Sequence, residues 1–332
     1  MIGPDTVVIV TGATAGIGRA TALRFAAAGA RLGLIARDAE ALQALADELT
    51  SRRTNAAFQP VDVADADAVF AAAARLSEAL GPPDIWVNDA MLTVFSPVAE
   101  ITPAEFKRVT EATYLGVVHG TMAALQHMRP LGRGQIINIG SALAYRGIPL
   151  QAAYCGAKHA IRGFTASLRT ELEHDKSPIK VSIIELPAMN TPQFDWARTR
   201  LPRQPKPMGT IYQPEAAAEA VFQAAVRGVR EYWVGWSTLL TIAGNMVAPP
   251  LLDRILARSA VDGQQTKEPV TAGRRDNLQA PVTELHRTHG SFDRAARPKA
   301  FYISGYVARA AIVAAGAAVF FVIGVAIGSL AA

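Results

Sequence analysis

Short apolar runs and helix-periodic segments alternate along the first 235 residues. Thr6–Val10 has the uninterrupted apolarity of a buried strand, and Gly16–Ala28 carries apolar residues at helical spacing until Gly29 ends it. Arg31–Ala36 then predicts a strand, Ala39–Ser51 a helix and Ala56–Val61 a strand. Asp65–Leu80 is an alanine-rich helix stopped by Gly81-Pro82-Pro83, and Ile85–Asn88 is a short strand. Thr102-Pro103-Ala104-Glu105 has the form of a capping box with Pro at the first helical position, predicting a helix from Pro103 to about His127. Gln135–Ile139 (strand), Ala152–His174 (long helix), Ile179–Leu186 (strand), a helix opened by Gln213-Pro214-Glu215 and the strand Tyr232-Trp233-Val234 complete the series. Strands alternating with helices predict an α/β fold, a doubly wound parallel sheet forming a single domain over residues 1–235.

The pattern then changes. Leu239–Leu256 is apolar but broken by Gly244 and Pro249-Pro250, too short and interrupted to span a bilayer, so it is expected on the domain or on a membrane surface. Val261–Lys299 is polar and rich in Gly, Pro and Gln, so residues 236–305 are expected to form an irregular extension, with Leu278, Leu285 and Phe292 as points that could dock it. From Ala310 to Ala332 there is no charged side chain, so residues 306–332 predict a transmembrane helix across a ~30 Å hydrocarbon core.

Charge sharpens this division. Of the net +5, the whole excess lies between Arg254 and Arg309, where ten Lys/Arg face five Asp/Glu. A basic tail without interleaved aromatics argues against a nucleic-acid partner. Arg294, Arg297, Lys299 and Arg309 precede the apolar run and nothing basic follows it, so a single-pass membrane protein with a cytoplasmic catalytic domain is expected. The N-terminus enters an apolar run without a basic stretch or cleavage site, so no signal peptide is expected. The lone Cys155 excludes an internal disulfide, and His286 and His289 are too isolated to predict a metal site.

Two stretches carry chemistry. Thr11-Gly12-Ala13-Thr14-Ala15-Gly16-Ile17-Gly18 lies between the first strand and first helix, where glycines let a pyrophosphate approach the backbone and a helix N-terminus favours its charge. Tyr154-Cys155-Gly156-Ala157-Lys158 places a phenol and an ammonium one helical turn apart. The ammonium favours the phenolate, bringing a group that titrates near about 10 towards use as a proton donor and acceptor. The Gly-x-x-x-Gly-x-Gly turn resembles that of the short-chain dehydrogenase/reductase family. Gly140-Ser141 and Tyr154-x-x-x-Lys158 match its motifs in order and spacing, and Asp62-Val63 after the third strand looks like its adenine-side Asp. Pro187 through Thr191-Pro192 resembles its nicotinamide-side segment, with the spacing to Thr191 one residue short.

The resemblance spans about Thr6 to Val234 and implies a Rossmann-type fold and hydride transfer between a nicotinamide cofactor and a carbonyl or alcohol carbon. It assigns Tyr154 as proton donor, Ser141 as the group that holds the substrate oxygen, and Lys158 as the tuner of Tyr154 and ligand of the nicotinamide ribose. It further assigns cofactor contacts to Thr11, Gly12, Thr14, Gly16, Ile17, Gly18, Asp62, Val63, Asn88, Ala90, Pro187 and Thr191, besides Tyr154 and Lys158. At the end of the second strand, Ala36 stands where the family's NAD-selecting acid would be and Arg37 follows it, so NADP(H) is expected over NAD(H).

Three departures stand out. Asn88-Asp89-Ala90-Met91 replaces the family's Asn-Asn-Ala-Gly, Pro187-Ala188 replaces Pro-Gly, and Thr113 occupies the position of an Asn that holds a relay water. Thr113 is therefore expected to hold that water less well, a hydroxyl lacking the two donors of an amide. Met91–Phe95, Leu143–Leu150 and Met189–Tyr212 are the expected substrate-facing segments, and their apolar residues point to a hydrophobic carbonyl or alcohol. A homodimer or homotetramer through the two long helices is implied by the resemblance. The function expected is a membrane-anchored oxidoreductase; the competing one is a cofactor-binding sensor or scaffold with little turnover.

Overall fold

In the computed structural model, which describes residues 2–316, seven parallel strands form one sheet. They are β1 (Val7–Thr11), β2 (Arg31–Ala36), β3 (Ala56–Pro60), β4 (Ile85–Asn88), β5 (Gln135–Ile139), β6 (Lys180–Glu185) and β7 (Glu231–Val234). Their order, β3-β2-β1-β4-β5-β6-β7, reverses direction between β1 and β4, and at the carboxyl ends of the strands this switch point opens a crevice. An eighth strand, β8 (Tyr302–Ser304), which the alternation did not predict, extends the sheet by pairing antiparallel with β7.

Successive residues of β1 face opposite sides, and both sides are covered, so the strand reads as a continuous apolar run. Val8 and Val10 pack with α1 (Gly16–Ala26), α2 (Ala39–Ser51) and α7 (Pro214–Arg227) through Phe25, Leu42 and Val221. Ile9 faces the other layer, formed by α3 (Ala66–Leu80), α5 (Gly116–Leu131) and α6 (Ala152–His174), against Leu76, Met128 and Leu168.

The helix expected from Pro103 to His127 is divided. Its capping box forms as predicted, Thr102 and Glu105 each accepting the other's backbone N–H. α4 (Pro103–Thr110) then gives way to a π-helical turn, Glu111–Leu115, before α5 begins. The wider turn sets Thr113 against the chain after β4, where its hydroxyl accepts from Leu92 N–H at 2.9 Å and donates to Leu92 C=O at 3.0 Å. Further along, Gly120 lets α5 close on β4: a Cβ there would overlap Asn88 Oδ1 and come within 2.8 Å of Trp86 Nε1. Gly120→Ala should therefore cost about 1–3 kcal/mol, read as a lowered urea midpoint.

The expected irregular extension is corrected at its start. α8 (Gly235–Val247) follows β7 directly, Gly235 taking a φ of +75° beside the Tyr212 ring. α9 (Pro249–Gly263) begins at the proline pair, which opens a second helix instead of merely breaking the first, since prolines suit a first helical turn. Gln265–Pro269 pairs with Arg203–Pro205. The stretch after Val270 is largely irregular yet docked: Leu278 is fully buried among Leu92, Val94 and Val109, and Phe292 packs on Phe194. Leu285 is half-buried.

The beginning of the expected transmembrane segment is also corrected. A helix over 305–316 continues from β8, and its Ala308 is buried with Trp233 and Ile242 of the domain. Arg309 is held by Glu231 and the Tyr145 hydroxyl, both at 2.6 Å. Among the described residues no helix is long and apolar enough to cross a membrane; residues 317–332 of the expected span lie outside the described residues.

Candidate active site

The turn after β1 and the chain ends after β4, β5 and β6 meet at the switch point around one cavity of about 430 Å³. Gly12, with φ at +71°, is required there because a Cβ would lie 2.9 Å from the Ala90 backbone. Gly16, at φ +55°, lies just as close to the Thr191 side chain, and α1 starts at this residue, its N-terminus aimed at the turn.

Most of the expected residues line this cavity: Gly12, Thr14, Gly16 and Ile17 of the turn, with Arg37, Asp62, Val63, Ala90, Pro187 and Thr191. Ser141, Tyr154 and Lys158 line it as well. Four do not. Thr11 turns its hydroxyl to the Asp89 and Ala90 N–H groups, tying the end of β1 to the end of β4. Asn88 is spent in the core, accepting from Trp86 Nε1 and donating to Thr121 and Asn138. Gly18 packs against Gly12 C=O and the Asp89 carboxyl. Thr113, expected to hold a relay water, is wholly buried with its hydroxyl used on Leu92 in both directions, and it does not reach the cavity.

On α6, Tyr154 opens into the cavity beside Ser141, whose hydroxyl accepts from Leu143 N–H at 3.1 Å. Lys158 is buried, its Nζ donating to Ile139 C=O at 2.6 Å and lying 5.6 Å from the centre of the Tyr154 ring. Two carboxyls flank this ammonium, Glu185 buried and Asp89 half-buried at the cavity wall. Glu185, at the end of β6, accepts from Ser141 N–H at 2.7 Å and leaves its other oxygen unpartnered. Asp89 stands where the resemblance would place an amide.

Burial dominates the electrostatics. It pushes Asp89 up to about 7 and Glu185 up to about 8, each opposed by Lys158, and it brings Lys158 down to about 8 against the pull of both acids. The expected lowering of the Tyr154 phenol by Lys158 is not what this environment produces. Burial raises it well above its ordinary value, Asp89 and Glu185 add to that, and the neighbouring Ser141 hydroxyl opposes them.

The largest departure from expectation is the docked extension. Residues 277–289 run as a strap across the cofactor-side half of the cavity. Arg37 donates to the carbonyls of Asn277, Leu278 and Gln279, so its guanidinium is not free in this arrangement. Asp38 caps α2 through Ala41 N–H and accepts from Thr283 on the strap, which leaves neither oxygen idle. Asp62 is paired with Arg108, His286 Nδ1 lies 2.8 Å from Thr14 Oγ1, and Gly16 N–H donates to Arg287 C=O. The substrate side is closed by the three predicted segments and, unforeseen, by Ser237 and Thr241 of α8 and Leu252 and Leu256 of α9. The acid inside the apolar run of β6 was a legible signal for Glu185; nothing in the polar 277–289 stretch pointed to its partners.

Comparison with known proteins agrees with this geometry. A family model described as short chain dehydrogenase matches residues 6–200. The uncharacterized oxidoreductase YxnA of Bacillus subtilis is 34% identical over 267 residues, covering 80% of this chain and 75% of that protein. Dehydrogenase/reductase SDR family member 7B of Bos taurus is 37% identical over 187 residues, 54% of this chain, and the match spans only 57% of that relative's length. Among solved structures, an alcohol dehydrogenase from Thermococcus sibiricus complexed with 5-hydroxy-NADP superposes with a TM-score of 0.60 at 25% identity, over 69% of this chain and 95% of that one.

Proposed function

The chain belongs to the short-chain dehydrogenase family, and from that premise we propose a membrane-anchored, NADP(H)-dependent oxidoreductase that interconverts a hydrophobic carbonyl compound and its alcohol. The observation that carries the catalytic part is the convergence of Tyr154, Ser141 and Lys158 on one cavity with the glycine turn. That turn suits a dinucleotide, because its two positive-φ glycines fold it closely against Ala90 and Thr191 at the cavity wall and α1 directs its N-terminus there. Gly12, Thr14, Gly16 and Ile17 would hold the pyrophosphate, and Lys158 the nicotinamide ribose. When bound, the cofactor supplies or accepts a hydride.

The protein's own residues do the rest. Tyr154 donates its proton to the substrate oxygen in reduction, and Ser141 hydrogen-bonds that oxygen to fix its position. Glu185, by accepting Ser141 N–H, holds the Ser141 backbone in place. A phenol raised by burial stays protonated across neutral pH, which favours reduction as the working direction.

The NADP(H) preference rests on Arg37, supported by the NADP analogue held by the Thermococcus sibiricus relative. A 2′-phosphate would have to share or displace the strap carbonyls that Arg37 now binds. Arg37→Ala should raise the KM for NADPH by about tenfold or more and change that for NADH by no more than about twofold. Equal losses for both cofactors would show that Arg37 serves only to fasten the strap.

A cofactor-binding sensor remains the competing reading, favoured by one observation: Thr113 offers nothing to a proton relay. A panel of apolar aldehydes and ketones, assayed with both cofactors, separates the two. Turnover with NADPH on some member supports the enzyme; tight NADPH binding with no turnover on any supports the sensor. The anchor is supported by the charge-free run from Ala310 to Ala332 and by the basic residues before it.

A further inference from the structure

The α8–α9 hairpin has two unlike faces. Ser237 and Thr241, one turn apart on α8, and Leu252 and Leu256, one turn apart on α9, line the substrate side of the cavity. A second face, about 100° round each helix, shows Trp236, Leu240 and Val247 of α8 and Leu251 and Ile255 of α9 to solvent. These five large apolar side chains are 48–74% exposed, on one hairpin, in a chain whose core is otherwise well closed.

Charge on α9 is sorted in the same way. Its acids are paired with arginines of the body, Asp253 on the side away from Leu251 with Arg146, and Asp262 in the last turn with Arg203. Arg254 and Arg258 share a helical face with Leu251 and Ile255, are exposed, and take part in no ion pair among the described residues. An exposed face of leucine, isoleucine and tryptophan interleaved with unpaired arginines matches an anionic lipid surface, and a second copy of this chain would have to bury those arginines unpaired. Alongside, the helix over 305–316 packs on α8 through Ala308 and Ile312, and exposes Tyr306 and Val307 as it leads into the charge-free stretch. The hairpin and the apolar terminus thus start from one side of the molecule.

The hairpin is also fastened to the substrate loop. Asn245 donates to Tyr145 C=O at 2.9 Å, and Gln264 accepts from Gln151 at 2.7 Å while donating to Pro149 C=O. We propose that the α8–α9 hairpin lies in the headgroup layer of an anionic bilayer, its outer face in lipid and its inner face forming the cavity wall, so that an apolar substrate enters the site from the lipid phase. The proposal rests on the membrane-anchored reading above and names the surface that the domain itself contributes.

Tryptophan fluorescence gives a direct test on the full chain. Of the four tryptophans, Trp86, Trp196 and Trp233 are 0%, 7% and 0% exposed, whereas Trp236 is 58% exposed on the hairpin's outer face. The apolar run from Ala310 to Ala332 contains no tryptophan, so it cannot mimic the signal. The protein is incorporated into phosphatidylcholine–phosphatidylglycerol vesicles with and without acyl chains dibrominated near the headgroup. Brominated lipid should quench about a quarter of the total emission, the share of one tryptophan in four, and Trp236→Phe should abolish the quenching. The double variant R254E/R258E should remain with the vesicles and lose most of the quenching. Sedimentation with vesicles while Trp236 stays unquenched overturns the proposal and leaves the anchor standing. Failure to sediment overturns both. Concentration-dependent shielding of Trp236 from iodide without lipid would assign the face to a second copy instead.

Discussion

Replacing Tyr154 by Phe should reduce kcat in carbonyl reduction by about a thousandfold, leaving the affinity for NADPH within about twofold of the wild type. The phenol is the one group in the cavity placed both beside Ser141 and one turn from Lys158, and removing its oxygen removes the proton donor without opening a cavity. Ser141 cannot take over, because its hydroxyl, free to donate a hydrogen bond while it accepts from Leu143 N–H, is an aliphatic alcohol and a far weaker acid than a phenol. The pH profile adds a second constraint. Burial keeps the phenol protonated through neutrality, so reduction should hold its rate from pH 6 to 8, while alcohol oxidation, which needs the phenolate, should climb with pH. A Tyr154→Phe protein with unchanged kcat would remove Tyr154 from the mechanism altogether.

The second large effect concerns Glu185, a carboxyl sealed in the core with one oxygen unpartnered. Its folded-state value is raised from 4.5 to about 8, so the folded chain keeps a proton that the unfolded chain has already lost. Stability contributed by this group is therefore present below pH 4.5 and is lost as pH rises towards 8. Asp89, raised from 3.8 to about 7, works in the same direction. Lys158, lowered from 10.5 to about 8, works oppositely and only above pH 8, where the folded chain has shed a proton that the unfolded chain keeps. Glu185→Gln retains an oxygen for Ser141 N–H and cannot ionise. Measured by urea unfolding, its stability relative to wild type should improve by at least about 1 kcal/mol between pH 5 and pH 8. Parallel curves for the two proteins would mean that Glu185 is ionised in the fold throughout, stabilised by Lys158.

The sheet was legible because its strands are buried on both faces and stand out as apolar runs such as Val7–Val10, separated by capped helices. The site was legible because short spacings, Gly12 to Gly18 and Tyr154 to Lys158, survive as local geometry once the strand and helix form. Long-range partners left no such trace. Thr11 and Asn88 carry the residue types of a ligand contact, but cross-strand hydrogen bonds claim both. The π-helical turn that hides Thr113 leaves no period in the sequence, since one wider turn does not disturb the apolar spacing on either side. Pro249-Pro250 looked like a break within one segment and is the start of α9, a distinction that depends on whether the chain reverses there. The strap over Arg37 was the least foreseeable element, because it binds through the backbone carbonyls of residues 277–279, which any polar sequence would offer. Of it, the pattern disclosed one anchor, Leu278.

Transfer of deuterium tests the central claim most directly. Wild-type protein and Tyr154→Phe would each be incubated with NADPH deuterated at the nicotinamide C4 and an apolar ketone, with the product analysed by mass spectrometry. One deuterium is expected on the carbinol carbon of the wild-type product, with product from Tyr154→Phe falling by about a thousandfold under equal cofactor occupancy. Tight NADPH binding by the wild type with no labelled alcohol from any carbonyl compound in the panel would contradict it.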